Sequence, residues 1–207
     1  SGDADRNLRL EHVQVRQTST LSPQERAEAL REELNGANLI LISIDTLRPD
    51  HLSAYGYHRE TSPNMDALAH NGVRFDSAIS ASHWTAPSHA TMLTGLHPEE
   101  HGVIGPGAPA RLGAEATTLA ERLSEQGYQT GAFTGSHFVT SLLGMDQGFD
   151  RWWEQTGDCE PAVNVAQSWL KEQKEPFFLF FHTYQTHGPY DPPAPYDSQY
   201  VDYGLTP

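Results

Sequence analysis

The sequence predicts an α/β fold, with a central, mostly parallel sheet flanked by helices. Three observations carry this reading. Apolar runs of strand length recur at residues 38–44 and 177–181. They are continuous and not alternating, which suits strands covered on both faces, as in a parallel sheet. Helix start and stop signals fall between the strand-like runs, giving the alternation of an α/β chain. Residues able to do chemistry follow the runs directly, at the strand ends where such sheets bind ligands.

The elements follow in order. Residues 1–21 are polar and aperiodic and read as a linker. Ser22-Pro23-Gln24-Glu25 reads as a helix start, with a Ser cap, Pro in the first turn and Glu closing a capping box; Asn35-Gly36 stops that helix. Residues 1–36 are therefore a linker plus an N-terminal helix, and 37–207 form one α/β unit. Residues 38–44 are a strand ending at Asp45. Ser62-Pro63 opens a helix over 64–70, stopped by Asn71-Gly72. Residues 73–79 are expected to form a second strand. Thr85-Ala86-Pro87 opens a helix that stops at Gly95. Thr118-Leu119-Ala120-Glu121 is a capping box opening a helix to Gln126-Gly127, followed by a strand over 128–134. A helix over 161–174 turns Val165, Trp169 and Leu170 inward. A buried strand over 177–181 ends at His182.

Charge and composition exclude several classes. The net charge of −14 argues against nonspecific nucleic-acid binding, which needs a basic footprint. The single cysteine, Cys159, excludes an internal disulfide and a cysteine-rich zinc site. The longest apolar run, 177–181, is far short of the roughly 20 residues of a membrane helix. The opening Ser1-Gly2-Asp3-Ala4-Asp5 reads as a processed end, so membrane association is expected only through a removed anchor.

Three residues carry candidate chemistry. Asp45 is either a turn cap or a carboxylate that ligates a hard cation. Thr85 is either a helix N-cap or a nucleophile. The two roles share one place, because a helix N-terminus also stabilises an alkoxide or an anion. A Thr hydroxyl is weak at its free pKa and needs a base or a metal. His187, in a loop before Gly188-Pro189-Tyr190, is either a surface residue or a general acid and oxyanion stabiliser. His89, His101 and His137 compete with it.

Four segments, "NLILISIDTLRPDHLSAYGY", "ETSPNMDALAHNGVRF", "TAPSHATMLTGLHPEEHGV" and "FFLFFHTYQTHGPYDPP", together resemble the sulfatase family of the alkaline phosphatase superfamily. Their order and approximate spacing match, over about residues 37–207. The resemblance implies an alkaline-phosphatase-like sheet and a divalent metal beside a nucleophile. Asp45 falls at the family's first metal aspartate, Thr85 at its nucleophile, His187 at its active-site histidine, and His137 at the histidine of its second signature. Metal ligands are thus expected at Asp45 and Thr85, and catalytic roles at Thr85, His187 and His137.

The departures from the family pattern shape the expected reaction. Thr85 stands where sulfatases carry Cys or Ser for conversion to formylglycine, and threonine cannot give that aldehyde. His89 replaces the signature arginine, Thr46 the second metal aspartate, and Gly135 the signature lysine. A threonine nucleophile resembles the phosphodiesterase and phosphotransferase branches, and "GLHPEEHGV" is similar to nucleotide pyrophosphatase/phosphodiesterases. A hydrated aldehyde has a second hydroxyl that expels sulfate; threonine has none. A metal-bound alkoxide attacking phosphorus needs no such group. The expected activity is therefore a metal-dependent hydrolase or transferase acting on anionic phosphate esters. The alternatives are a sulfuric ester hydrolase proper, or a non-catalytic module or inactive fragment.

The family's remaining metal ligands lie in a later segment. The chain therefore reads as an apparently truncated catalytic domain, inactive alone and completed by a C-terminal segment or second chain. Calcium, magnesium, manganese and zinc all stay open as the metal. The family implies a periplasmic or otherwise extracytoplasmic location.

Overall fold

The computed structural model describes residues 22, 24–25, 28–29, 32, 35–105 and 111–200. They divide into two compact units, one holding Arg48–Ala78 with residues up to Asn35, the other Gly36–Leu47 with residues from Ile79 onward. Of the expected N-terminal helix, Gln24, Glu25, Glu28, Ala29 and Glu32 are helical. The Ser22 backbone N–H donates to Glu25 over 2.7 Å and the Glu25 N–H donates back to Ser22 over 3.3 Å, as a capping box requires. The rest of that helix and the expected linker lie outside the described residues.

The smaller unit is built on helix α1 (Pro63–Asn71), preceded by two 3-10 turns. The Asp66 carboxylate holds the turns to the helix, accepting from the Ser53 hydroxyl, the Ala54 N–H and the Ser62 hydroxyl at 2.6, 2.8 and 3.0 Å. The strand expected over 73–79 is absent. Val73, Phe75 and Ile79 are exposed, and the Tyr55 hydroxyl takes the Phe75 carbonyl that a ladder would use. Strand-like composition makes no strand without a partner to pack on.

The larger unit holds the predicted sheet: β1 (Leu39–Ile44), β2 (Gln129–Thr134), β3 (Arg151–Glu154) and β4 (Phe177–Thr183). Their order is β1-β4-β2-β3 and every pair is parallel. β4, last in sequence, sits inside the sheet, which explains its aromatic run. Side chains alternate across a strand, so Phe178 and Phe180 enter one apolar cluster while Phe177 and Leu179 enter the other. Ala90 and Leu93 of α2 (Thr85–Thr94) join the first cluster, with Ala120 of α4 (Leu119–Glu125). Ala166, Val165, Trp169 and Leu170 of α5 (Cys159–Glu172) close the second, as expected from the sequence. Helix α3 (Pro98–His101) follows α2. Thr118 and Glu121 form the predicted capping box, with bonds of 2.7 and 3.1 Å.

One expectation about β1 is corrected. Leu39 and Leu41 pack against the core, but Ile40 and Ile42 are 44% and 58% exposed. β1 is the edge strand of the described sheet and is covered on one face only. Among the described residues no helix is long and apolar enough to cross a membrane.

β3 was not legible in the sequence, and Glu154 at its end organises a turn. Its carboxylate accepts from the Ser141 N–H, the Trp152 indole and the Thr140 and Ser141 hydroxyls at 2.7–3.2 Å. Burial pushes its pKa up, but these donors outweigh that and leave it below the usual value. Its stabilisation is therefore complete above the unfolded carboxylate pKa and is lost as pH falls through the folded one. We expect Glu154→Gln to cost about 1–3 kcal/mol at neutral pH in urea denaturation. The gap from the parent protein should shrink as pH falls through the carboxylate range.

Candidate active site

The site lies at the C-terminal ends of β1 and β4. Ser43 pairs with His182 in the parallel register, and the Asp45 N–H donates to the Thr183 carbonyl over 3.0 Å. Two threonines then stitch the following loops together. The Thr46 hydroxyl donates to the Thr186 carbonyl over 3.0 Å, and the Thr186 hydroxyl donates to the Asp45 carbonyl. Thr46 has a φ of 55°, a conformation that strains a β-branched residue by roughly 1–3 kcal/mol. Its hydroxyl is committed to the neighbouring loop, not to the space beside Asp45. β2 joins the same edge, with the Gly135 N–H donating to the His182 carbonyl over 3.1 Å.

Thr85 is the first residue of α2 and not its cap, which corrects the sequence expectation. Trp84 is the cap residue, and its carbonyl accepts the Ser88 N–H over 3.1 Å. The Thr85 side chain, relieved of capping, lines the same cavity as Asp45 and is among the neighbours that hold the Asp45 carboxylate below its usual value. The partial positive charge of the helix N-terminus falls on the same oxygen.

Beneath Thr85 lie three buried groups, Asp45, His89 and His182, with ligand-type atoms all within 4.8 Å of one another. His89 is spoken for. The Thr85 carbonyl can only accept, so His89 Nδ1 carries the proton over 2.7 Å and Nε2 accepts from the Ser43 hydroxyl over 2.8 Å. Burial, then the neighbouring His182, push the His89 pKa down to about 4, so it is neutral at physiological pH. Burial raises the Asp45 pKa, but the pull of His182 and then of the Thr85 hydroxyl outweighs it and leaves the group below the usual carboxylate value. His182 Nε2 lies 3.8 Å from Asp45 Oδ2, too long for a formed hydrogen bond. Neither ring nitrogen of His182 has a hydrogen-bond partner, although the side chain is fully buried.

Orphaned buried nitrogens are rare and point to an absent partner. Two metal–ligand bonds of about 2.1 Å span up to about 4.2 Å, so the 3.8 Å between His182 and Asp45 accommodates an ion. The carboxylate, the imidazole and the adjacent Thr85 oxygen are a donor set that fits a divalent metal.

A cavity of about 390 Å³ opens above this trio and is lined by Asp45, Thr85 and His187 among others. Three of the predicted residues thus meet in one place. His187 is exposed, and its Nδ1–H donates to the Gly188 carbonyl over 2.7 Å, leaving Nε2 free. His137 does not line the cavity. It is exposed, with a φ of 54°, and packs edge-on against Tyr184 at 5.4 Å. His101 is a packing residue, buried and bonded to Thr91 and the Val103 N–H at 3.1 Å each. Sequence reasoning passed over His182 and Tyr184. The available signal was a histidine continuing an apolar strand run, one register position from the strand carrying Asp45. Burial pushes the Tyr184 phenol up to about 12.

The comparisons with known proteins agree with this architecture. The Sulfatase family model matches residues 37–206. Arylsulfatase A of Bos taurus is 39% identical over 73% of this chain and 41% of its own length. The N-acetylglucosamine-6-O-sulfatase of Bacteroides thetaiotaomicron is 31% identical over 65% of this chain and 23% of its own. Among solved structures, the phosphonate monoester hydrolase of Agrobacterium radiobacter superposes with a TM-score of 0.64 at 24% identity, covering 77% of this chain and 43% of that one. The C-terminal periplasmic domain of EcEptC from Escherichia coli, in complex with Zn, superposes with a TM-score of 0.60 at 19% identity, covering 82% and 51%. These two structural likenesses speak for the fold, and the chain spans less than half the length of either curated relative. The parallel sheet, the site at its strand ends and the match over residues 37–206 together show that the chain belongs to the sulfatase family.

Proposed function

We propose that the whole protein is a metal-dependent ester hydrolase or phosphotransferase in which Thr85 is the nucleophile, with phosphate esters preferred to sulfate esters. One observation carries the reading: Thr85 opens α2, is free of capping, and lines one cavity with Asp45, a buried carboxylate that stands beside an unpartnered imidazole. Asp45, His182 and the Thr85 oxygen are the residues that would hold a divalent ion. Such an ion, when bound, neutralises phosphoryl charge and lowers the pKa of an adjacent hydroxyl. The nitrogen donor favours zinc over calcium, magnesium and manganese.

The chain's own residues supply the rest. Asp45, kept ionised, accepts the Thr85 O–H hydrogen bond and aims the oxygen into the cavity. Thr85 Oγ1 gives its proton to the Asp45 carboxylate and forms a bond to phosphorus as the ester oxygen leaves, giving a phospho-threonine; the proton returns to Oγ1 when the phosphoryl group is released. His187, protonated at Nε2, gives its proton to that leaving oxygen. Neutral at Nε2, it takes the proton of the water or acceptor hydroxyl that releases the phosphoryl group. His137 supports the site from outside the cavity through its contact with Tyr184. Further ligands and cavity walls are expected from a C-terminal segment or second chain, and the neighbouring periplasmic structure is consistent with an extracytoplasmic enzyme.

The second reading is a sulfuric ester hydrolase, favoured by the names of the curated relatives. The absence of a second hydroxyl on Thr85 weighs against it. Paired assays of the full-length gene product separate the two. We expect turnover of an aryl phosphodiester, abolished in Thr85→Ala, and mass spectrometry should find phosphate on Thr85. Dominant turnover of an aryl sulfate would refute the preference. Metal content supplies a separate check. Asp45→Ala and His182→Ala should each weaken divalent-metal binding about tenfold or more in competition with a chelator. Unchanged binding in His182→Ala would remove that residue from the site.

A further inference from the structure

The helix that presents Thr85 also presents an apolar stripe to the same cavity. Trp84, Ser88 and Met92 recur every four residues, so they share one side of α2. All three line the cavity of about 390 Å³ that Thr85 lines, while Pro87, Ala90 and Leu93 are buried. The stripe runs about 12 Å along the helix from the end that carries Thr85. Its two large members are incompletely covered: Trp84 is 46% exposed and Met92 41%. The hydroxyl between them is committed, because Ser88 Oγ donates to the Thr85 carbonyl over 3.2 Å.

Trp84 is a fixed platform. Its backbone N–H donates to Ser82 Oγ over 3.1 Å, and its carbonyl accepts the Ser88 N–H over 3.1 Å. The His83 ring packs on the indole at 5.4 Å. An indole held in this way has little freedom to lose when a ligand covers its face. Large apolar side chains left uncovered in a concave site are where the apolar part of a ligand lies.

The direction of attack decides which part of the substrate that is. In phosphoryl transfer the attacking and leaving oxygens stand roughly in line. Thr85 attacks from the N-terminus of α2, so the leaving oxygen departs away from that helix. A group lying along the α2 stripe is therefore a substituent that stays on phosphorus. We propose that Trp84 and Met92 form a subsite for the retained ester group, which makes the preferred substrate a phosphodiester whose retained group is aromatic or similarly flat and apolar. This rests on Thr85 being the nucleophile. Thr85 Oγ1 bonds to phosphorus, the bond to the leaving alcohol breaks, and that alcohol takes its proton from His187. The second ester bond survives, so the phosphoryl group on Thr85 carries the retained group until water or an acceptor hydroxyl releases it. A monoester leaves the stripe bare. Among the described residues the lining holds no lysine or arginine, so nothing there favours a retained group that is itself an anion.

The test uses the full-length gene product and two diesters that share a leaving group, p-nitrophenyl phenyl phosphate and p-nitrophenyl methyl phosphate. Covering a phenyl-sized group is worth roughly 10- to 100-fold, so kcat/KM should favour the phenyl diester by about that factor. Mass spectrometry should find phenyl phosphate on Thr85. Trp84→Ala should lower the phenyl-to-methyl ratio about tenfold, and Met92→Ala by a smaller factor. Trp84→Phe keeps an aromatic face and should keep most of the preference. A variant that merely misplaces Thr85 slows both diesters together and leaves the ratio alone. Should Trp84→Ala lose all activity, the ratio in Met92→Ala decides. A parent ratio near one, or a ratio unchanged in the variants, overturns the subsite alone, provided that both diesters are turned over and Thr85→Ala is inactive. That is also the result expected if the C-terminal segment covers the stripe. Turnover of neither diester, or activity in Thr85→Ala, overturns the proposed function and the subsite together.

Discussion

Asp45 leaves β1 with its N–H bonded to the Thr183 carbonyl of β4, and the parallel register beneath that bond fixes everything at the site. Side chains alternate across a strand, so a one-residue slip of β4 would turn His182 to the opposite face and bring Thr183 in its place. What prevents the slip is the core. Phe178 and Phe180 fill the cluster under α2 and α4, while Phe177 and Leu179 fill the one under α5. Each buried phenylalanine stabilises this arrangement by about 1.5–3 kcal/mol. The aromatic run thus does more than fill the interior: it sets the distance between a carboxylate and an imidazole.

That distance has an energetic consequence. Asp45, His89 and His182 are three titratable groups withdrawn from water into one small volume. Burial penalises the charged form of each. His89 escapes by staying neutral, its two nitrogens divided between the Thr85 carbonyl and Ser43. Asp45 stays ionised through its neighbours. His182 has no hydrogen-bond partner, and an unsatisfied buried polar group costs about 1–3 kcal/mol. Taken alone, the trio destabilises the fold. A cation bound to the folded chain and not to the unfolded one would offset that cost. Local instability offset by ligand binding is what separates a functional cluster from a structural one.

Much of this was legible in the sequence, and the reasons it was or was not are physical. The strand at 177–181 announced itself because a strand buried within a parallel sheet must be apolar throughout; the run at 38–44 gave the right element although its outer face is exposed. The Thr118–Glu121 capping box was readable because its bonds are local. Asp45, Thr85 and His187 were singled out by their place after strands or at a helix start. Residues 73–79 misled because strand-like composition says nothing about a partner. β3 was missed because four residues, Arg151-Trp152-Trp153-Glu154, show no period. Thr85 was placed at the cap position, with the nucleophile role beside it, because a helix start is known only to within a residue or two. His182 and Tyr184 were passed over because their importance lies in register and in the space left by Gly135, which appear only once β2 lies beside β4.

Three of the four departures implied by the family resemblance acquire a common explanation. His89, in place of an arginine, turns its nitrogens to Ser43 and to the Thr85 carbonyl, bracing the helix start from below. Thr46, in place of an aspartate, gives its hydroxyl to Thr186 and ties the Asp45 loop to the His187 loop. Gly135, in place of a lysine, makes room for the Tyr184 ring. Each lost charge is matched by a neutral contact that holds Thr85, Asp45 or His187. Two cations and one anion expected from the family resemblance are thereby exchanged for neutral contacts. The described wall of the cavity accordingly contains His83, His89 and His187 but neither lysine nor arginine. On the proposed mechanism, a described wall without permanent cations puts the weight of the reaction on how the Thr85 oxygen is placed.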